Sequence, residues 1–263
     1  MTHTDANSDV VLFEIVDDHI AVITLNRPRV RNAVNGAVAR ALEAAVTKVE
    51  GTREIRAAIL TSSLDTVFCA GADLAAIANG QMDFVTERGG FAGFVNAQRK
   101  KPWIAAVEGA ALAGGCEIVL ACDMIVASEN ARFGLPEVKR GLYAGAAGVY
   151  RLPRRLPRNV ALEVIATGDP LDAGRAYALG LVNRLTPAGG VRAAAIELAK
   201  AIIVNAPVSV EESLRIARLA LDYDEAELEA RSAEARDIVN STRDSREGPR
   251  AFVEKRPAVW VGE

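Results

Sequence analysis

Between Ala110 and Ala127 the chain reads AALAGGCEIVLACDMIVA, almost wholly small or apolar, with two adjacent glycines near its centre. One carboxylate, Glu117, sits inside this run with no Lys, Arg or His beside it. A stretch of this kind belongs out of water, which leaves a protein core or a membrane. The membrane is disfavoured, because Glu117 and Asp123 would then lie at membrane depth without partners, at a cost of several kcal/mol. A core is the better destination, and the 263 residues are enough to build one, as a large domain or a domain plus an appendage.

The flanking sequence supports an α/β core. VVLFEIV and HIAVITL around Asp17–Asp18 read as a hairpin. Residues 36–50 carry a helical stripe of Val38, Leu42, Val46 and Val49. AAILT, PWIAAVEG and DMIVAS read as short buried strands, with the glycine-rich turn and a short helix between the last two. Residues 77–99 carry Gly80, Gly89, Gly90 and Gly93 and suggest a mobile or variable insertion, with helix around Phe91 to Lys100. Asp172 is placed to cap a helix that Gly180 stops. From Val191 onward the pattern is helical only, so the chain divides near residue 190.

Half of the residues are hydrophobic, a quarter are charged, and the net charge is −3. The basic clusters RRLPR and RKK are short, so no nucleic-acid-binding stripe is expected. The three cysteines, Cys69, Cys116 and Cys122, make no CxxC pair and no even disulfide set, which points to reduced core thiols in a cytoplasmic protein. The N-terminal residues have neither the charged nor the apolar region of a signal peptide. With only His3 and His19, and no GxSxG, a Ser-His or zinc mechanism has few parts to work with. Phosphate-binding glycine motifs are absent as well, since GAALAGG fits neither GxGxxG nor GxxxxGK[ST].

Three loops of small residues each follow a short apolar strand: FCAGADL, EGAALAGGCE and RFGLPE. Glycine lets the backbone approach a ligand, and a strand running into a helix start exposes unpaired N–H donors. The remaining groups for proton transfer are carboxylates, with Glu117 after the glycine pair and Glu137 after FGLP. Brought together in an apolar space, two such acids raise one another's pKa and titrate as a pair, one protonated while the other is ionised. Taken singly, Glu117 also fits a first-turn helix acid, Glu137 the first turn after Pro136 or a surface position, and Asp73 a helix cap.

In their order and spacing, five segments resemble the crotonase (enoyl-CoA hydratase/isomerase) superfamily. They are ITLNRPRVRNAV, FCAGADLAAI, KPWIAAVEGAALAGGCEIVLACDMIVASENARFGLPEVKRGL, TGDPLDAGRAYALGLVNRL and EGPRAFVEKRPAVW, and the likeness spans about residues 10 to 260. GGFAGF, LPEVKRG and the C-terminal segment look most like the carnitinyl-CoA dehydratase branch.

The resemblance implies an α/β right-handed spiral of strand–strand–helix turns over residues 1–190. It also implies a helical region, 191–263, that assembles homotrimers, often paired into hexamers. Carried over residue by residue, the amides of Ala72 and Gly114 form an oxyanion hole for a thioester oxygen, and Glu117 and Glu137 are the catalytic pair. Ala70, Asp73 and Leu74 line the coenzyme A path, and Phe252 and Lys255 resemble residues that reach the coenzyme from the same or a neighbouring subunit. No metal, redox cofactor, nucleic acid or membrane is implied; coenzyme A enters as part of the substrate.

The activity implied is reversible syn addition of water to a 2-enoyl-CoA, with isomerase, carnitinyl-CoA dehydratase and non-catalytic acyl-CoA-binding roles as alternatives. Ala113 stands where the family often has a first loop glycine, which implies a stiffer loop. AGAAG, from Ala144 to Gly148, replaces the usual Pro-Gly-Ala-Gly-Gly beside the acyl pocket. Gly145 occupies a position where dienoyl-CoA isomerases and a dehalogenase branch carry an acid.

Overall fold

The computed structural model describes residues 9–263; His3 and the rest of residues 1–8 lie outside the described residues. A six-stranded sheet runs in the order β1 (Val11–Val16), β2 (Ile20–Leu25), β3 (Ala57–Ser62), β7 (Trp103–Val107), β9 (Met124–Ser128) and β12 (Arg184–Thr186). β1 and β2 form the antiparallel hairpin expected around Asp17–Asp18, and every later pairing in this sheet is parallel. A second sheet contains β4 (Val67–Cys69), β8 (Ala110–Leu112), β10 (Arg132–Gly134) and β11 (Leu171–Asp172), in the order β11-β10-β8-β4.

Three successive turns of chain each place one strand in the first sheet and the next in the second: β3 then β4, β7 then β8, β9 then β10. The helices α1 (Gly36–Gly51), α2 (Leu74–Ala78) and α3 (Gly114–Ala121) follow β2, β4 and β8. This is an α/β stack of strand–strand–helix turns.

The central strands are buried on both faces, which explains their unbroken apolar sequences. Ala21, Ile23, Leu60, Ala105 and Ile125 face one core with α1 and α3. Their alternates Ile20, Val22, Ile59, Ile104 and Val126 face another. α7 (Val191–Ile203) covers that second face with Val191, Ala195 and Ala199. In chain order α4 (Gly148–Arg155), α5 (Arg158–Thr167) and α6 (Ala173–Ala178) come between α3 and α7, the last capped by Asp172, whose carboxylate accepts from the Arg175 amide at 2.8 Å.

Helices alone follow residue 190: α7, α8 (Pro207–Leu219), α9 (Glu225–Ser241) and α10 (Asp244–Val253). Arg218 on α8 returns to the sheet-bearing half, holding Asp123 through Nε and Nη2, each at 2.8 Å. Among the described residues no single helix is long and apolar enough to cross a membrane.

One expectation is corrected. Residues 91–100 are not helical. A small hairpin of β5 (Val85–Thr86) and β6 (Gly90–Phe91) leads into successive turns. Positive φ at Ala92 (59°) and Gly93 (64°) breaks any helix there. The segment is an inserted wall rather than a loose excursion: Phe91, Ala92, Phe94 and Val95 are buried, and Phe94 packs edge-on against Trp103.

Candidate active site

The three small-residue loops meet around a cavity of about 780 Å³. It is lined by Ala70, Ala72, Asp73 and Leu74 from the first loop, Gly114 and Glu117 from the second, and Glu137 from the third. The loops touch directly. A Cβ on Gly71 (φ +93°) would lie 2.8 Å from Ala113 Cβ and 3.0 Å from the Gly114 nitrogen, so only glycine admits this approach.

The two amides expected to form a hole are free to act. The bridge between Val34 and Ala72 uses the Asp73 amide and the Gly71 carbonyl, leaving the Ala72 N–H unengaged. Gly114 is the first residue of α3, and its N–H has no carbonyl four residues back to meet. Among the described residues neither amide has a hydrogen-bond partner, and both residues line the cavity.

Glu117 lies in the first turn of α3 and is 3 % exposed. Its Oε1 accepts a 2.8 Å hydrogen bond from the Gly148 amide at the start of α4. Burial, reinforced by the Glu137 carboxylate, pushes its pKa up to about 7 against the pull of the Gly148 amide. Glu137 stands on a 3₁₀ turn, Pro136–Arg140. Burial raises its pKa also, opposed by its own backbone and by Arg140. Its Oε2 is buried and accepts no hydrogen bond among the described residues. A buried acceptor left unpaired costs free energy, so its persistence in a cavity marks a site for a ligand or water. Both acids therefore fill the helix-start positions they fit singly and share one space as well.

Asp73 caps α2 through the amides of Ala75 (3.2 Å) and Ala76 (3.3 Å) and pairs with Arg27 at 3.2 Å. It fixes the first loop, and its charge is committed there. Phe252 and Lys255 do not join the cavity of this chain. Phe252 is 85 % exposed near the end of α10, and Lys255 follows it at φ +53°. The thiols of Cys69 and Cys122 are buried, and desolvation pushes each up to about 12; Cys116 is raised too, so none is an accessible thiolate.

Two contacts of the site are not foreseen from the sequence. Gly148 is the donor that holds Glu117, and a Cβ there would come within 2.9 Å of the Glu117 side chain. The resemblance places Gly148 in the AGAAG loop beside the acyl pocket, but nothing in the sequence marks its amide as the donor to Glu117. Phe91 packs against Gly114, where an added Cβ would lie 2.4 Å from its Cζ. No local pattern announces that contact.

The enoyl-CoA hydratase/isomerase family profile matches residues 16–263. A short-chain enoyl-CoA hydratase of Clostridium acetobutylicum is 36 % identical over 90 % of this chain and 92 % of its own. A carnitinyl-CoA dehydratase of Salmonella typhi is 38 % identical over 92 % and 95 %. The crystal structure of an enoyl-CoA hydratase from Mycobacterium tuberculosis H37Rv superposes with a TM-score of 0.93 at 44 % identity, covering 97 % of this chain and all of that one. The fold is accordingly that of the crotonases, and the chain belongs to the enoyl-CoA hydratase/isomerase family.

Proposed function

We propose that this protein adds water reversibly, and with syn geometry, across the double bond of a 2-enoyl-CoA thioester. The observation that carries the reading is the convergence on one cavity of the buried Glu117, of Glu137 with its buried unpaired oxygen, and of two unpartnered amides. The thioester oxygen accepts from the amides of Ala72 and Gly114, which oppose the charge it gains as the enolate forms. One donor of this kind contributes about 3–4 kcal/mol to transition-state stabilisation.

A water between Glu117 and Glu137 loses a proton to the ionised carboxylate as its oxygen bonds to Cβ. The C=C electron pair moves toward the thioester oxygen. The protonated carboxyl then delivers its proton to Cα, and the pair is left with one proton, as it began. A site in which one acid stays protonated near neutral pH suits this exchange.

The coenzyme runs along Ala70, Asp73 and Leu74 and arrives as part of the substrate, so this route uses no metal or redox cofactor. Residues 1–190 form the catalytic unit in this reading. Residues 191–263 pack homotrimers or hexamers, in which Phe252 and Lys255 reach a neighbour's coenzyme. The high exposure of Phe252 and Val253 supports that role. The protein is assigned to the cytoplasm, consistent with three unpaired thiols.

The test is a panel of crotonyl-CoA, longer 2-enoyl-CoA and crotonobetainyl-CoA with product identification. Hydroxyacyl products support the proposal. A displaced double bond makes the protein an isomerase, and tight binding without turnover makes it an acyl-CoA binder.

A further inference from the structure

One wall of the cavity carries a cation with no ion-pair partner among the described residues. Arg140 ends the 3₁₀ turn that holds Glu137 and lines the cavity together with Leu142, Tyr143 and Gly145. Its neighbour Lys139 is paired with Asp169. The Arg140 guanidinium has no ion-pair or hydrogen-bond partner among the described residues, and the residue is exposed. Its charge reaches Glu137, whose carboxyl it pulls down against burial.

The acids of the lining are committed, and the second lining cation, Arg31, is tied to the first loop. Asp73 is held by Arg27 and by its cap. Glu117 and Glu137 are the proposed reacting pair. Arg31 also lines the cavity without an ion-pair partner among the described residues, but its backbone is tied to the first loop, where its carbonyl accepts from the Ala70 amide at 3.1 Å.

The order of substrate atoms follows from the proposed hydratase reaction, on which this inference rests. The carbonyl sits at Ala72 and Gly114, Cα and Cβ sit at the glutamates, and the substituent on Cβ continues toward residues 140–145. From that order we propose that Arg140 selects enoyl-CoA thioesters whose acyl tail ends in a carboxylate and disfavours tails ending in a quaternary ammonium. A guanidinium presents a fork of donors matched to a carboxylate. A cationic tail would meet Arg140 with no spare acid to hold it, and like-charge juxtaposition works against the wrong ligand. The exposed apolar side chain of Leu142 offers contact to the methylene between Cβ and the charged end.

The experiment measures kcat/KM for three short thioesters that differ in tail charge: glutaconyl-CoA (anionic), crotonyl-CoA (neutral) and crotonobetainyl-CoA (cationic). The native protein is expected to favour glutaconyl-CoA and to use crotonobetainyl-CoA least. Arg140→Gln is expected to lower the glutaconyl-to-crotonyl ratio about tenfold, and Arg140→Glu to reverse the order of the two charged substrates. Each ratio is taken within one preparation, so a misfolded fraction cancels. Crotonyl-CoA hydration with ratios unchanged in both variants, or native preference for the cationic tail, overturns this inference and leaves the hydratase reading standing. Hydration of none of the three overturns both.

Discussion

The main-chain amide of Gly148 donates a 2.8 Å hydrogen bond to Oε1 of Glu117. That bond joins the starts of α4 and α3 and aims a buried carboxylate without neutralising it. A Lys or Arg in the same place would drive the pKa down and fix the acid as an anion. The amide instead leaves it near 7, where it can exchange a proton at physiological pH.

If both acids move protons, removing either carboxyl slows the chemical step and leaves binding largely intact. Glu117→Gln and Glu137→Gln are each expected to lower kcat by about 10²- to 10⁴-fold, with KM within a few-fold of native. Steady-state rates on crotonyl-CoA check this. A near-native rate in either variant removes that residue from the mechanism.

The raised pKa of Glu117 also predicts a stability cost with a definite pH window. The folded state holds the proton more tightly than the unfolded chain, so the cost is absent below about 4.5, grows as pH rises and levels off above about 7. Glu117→Gln keeps the acceptor for Gly148 and removes the ionisation. It is expected to match the native protein in stability near pH 4 and to exceed it by up to about 3 kcal/mol at pH 8. Denaturant unfolding at the two pH values measures the difference, and an equal gap at both contradicts the assignment.

Ala113 precedes the Gly114 donor with φ 52° and ψ −129°, a region that suits glycine and strains a residue with a Cβ. Ala113→Gly relieves that strain while loosening the unfolded chain, so the net expectation is a gain of about 1 kcal/mol. Thermal unfolding checks the sign. A loss of stability means that the Cβ contributes packing that outweighs the strain.

Gly114→Ala tests the proposed oxyanion hole from the opposite direction. The added methyl would meet the Phe91 ring, so α3 or Phe91 must shift. Displacing one donor in this way is expected to cost about 10²- to 10³-fold in kcat. Circular dichroism and the unfolding midpoint would show whether the fold survives the change.

Much of the fold was legible because both faces of the central strands are buried. AAILT, PWIAAVEG and DMIVAS then read as unbroken apolar runs, and Asp73 and Asp172 mark helix starts through a local rule. Residues 91–100 misled because Phe91, Phe94 and Val95 have helical spacing. What decides their path is φ at Ala92 and Gly93 and the close approach of Gly93 to α1, which are tertiary facts. The acids at 117 and 137 could be picked out as chemically available, since histidine is scarce. Their meeting depends on how β8 and β10 pair, and the bond from Gly148 depends on α4 folding back over α3. No pattern of neighbouring residues encodes either one.

The central claim is that one thioester oxygen is held by two particular main-chain amides beneath two glutamates. A crystal structure of the protein with bound 3-hydroxybutyryl-CoA tests it most directly. The account predicts the thioester oxygen at about 2.7–3.1 Å from both the Ala72 and the Gly114 nitrogens, with the 3-hydroxyl between the carboxyl groups of Glu117 and Glu137. An oxygen bound by neither amide, or a hydroxyl remote from both acids, would contradict it.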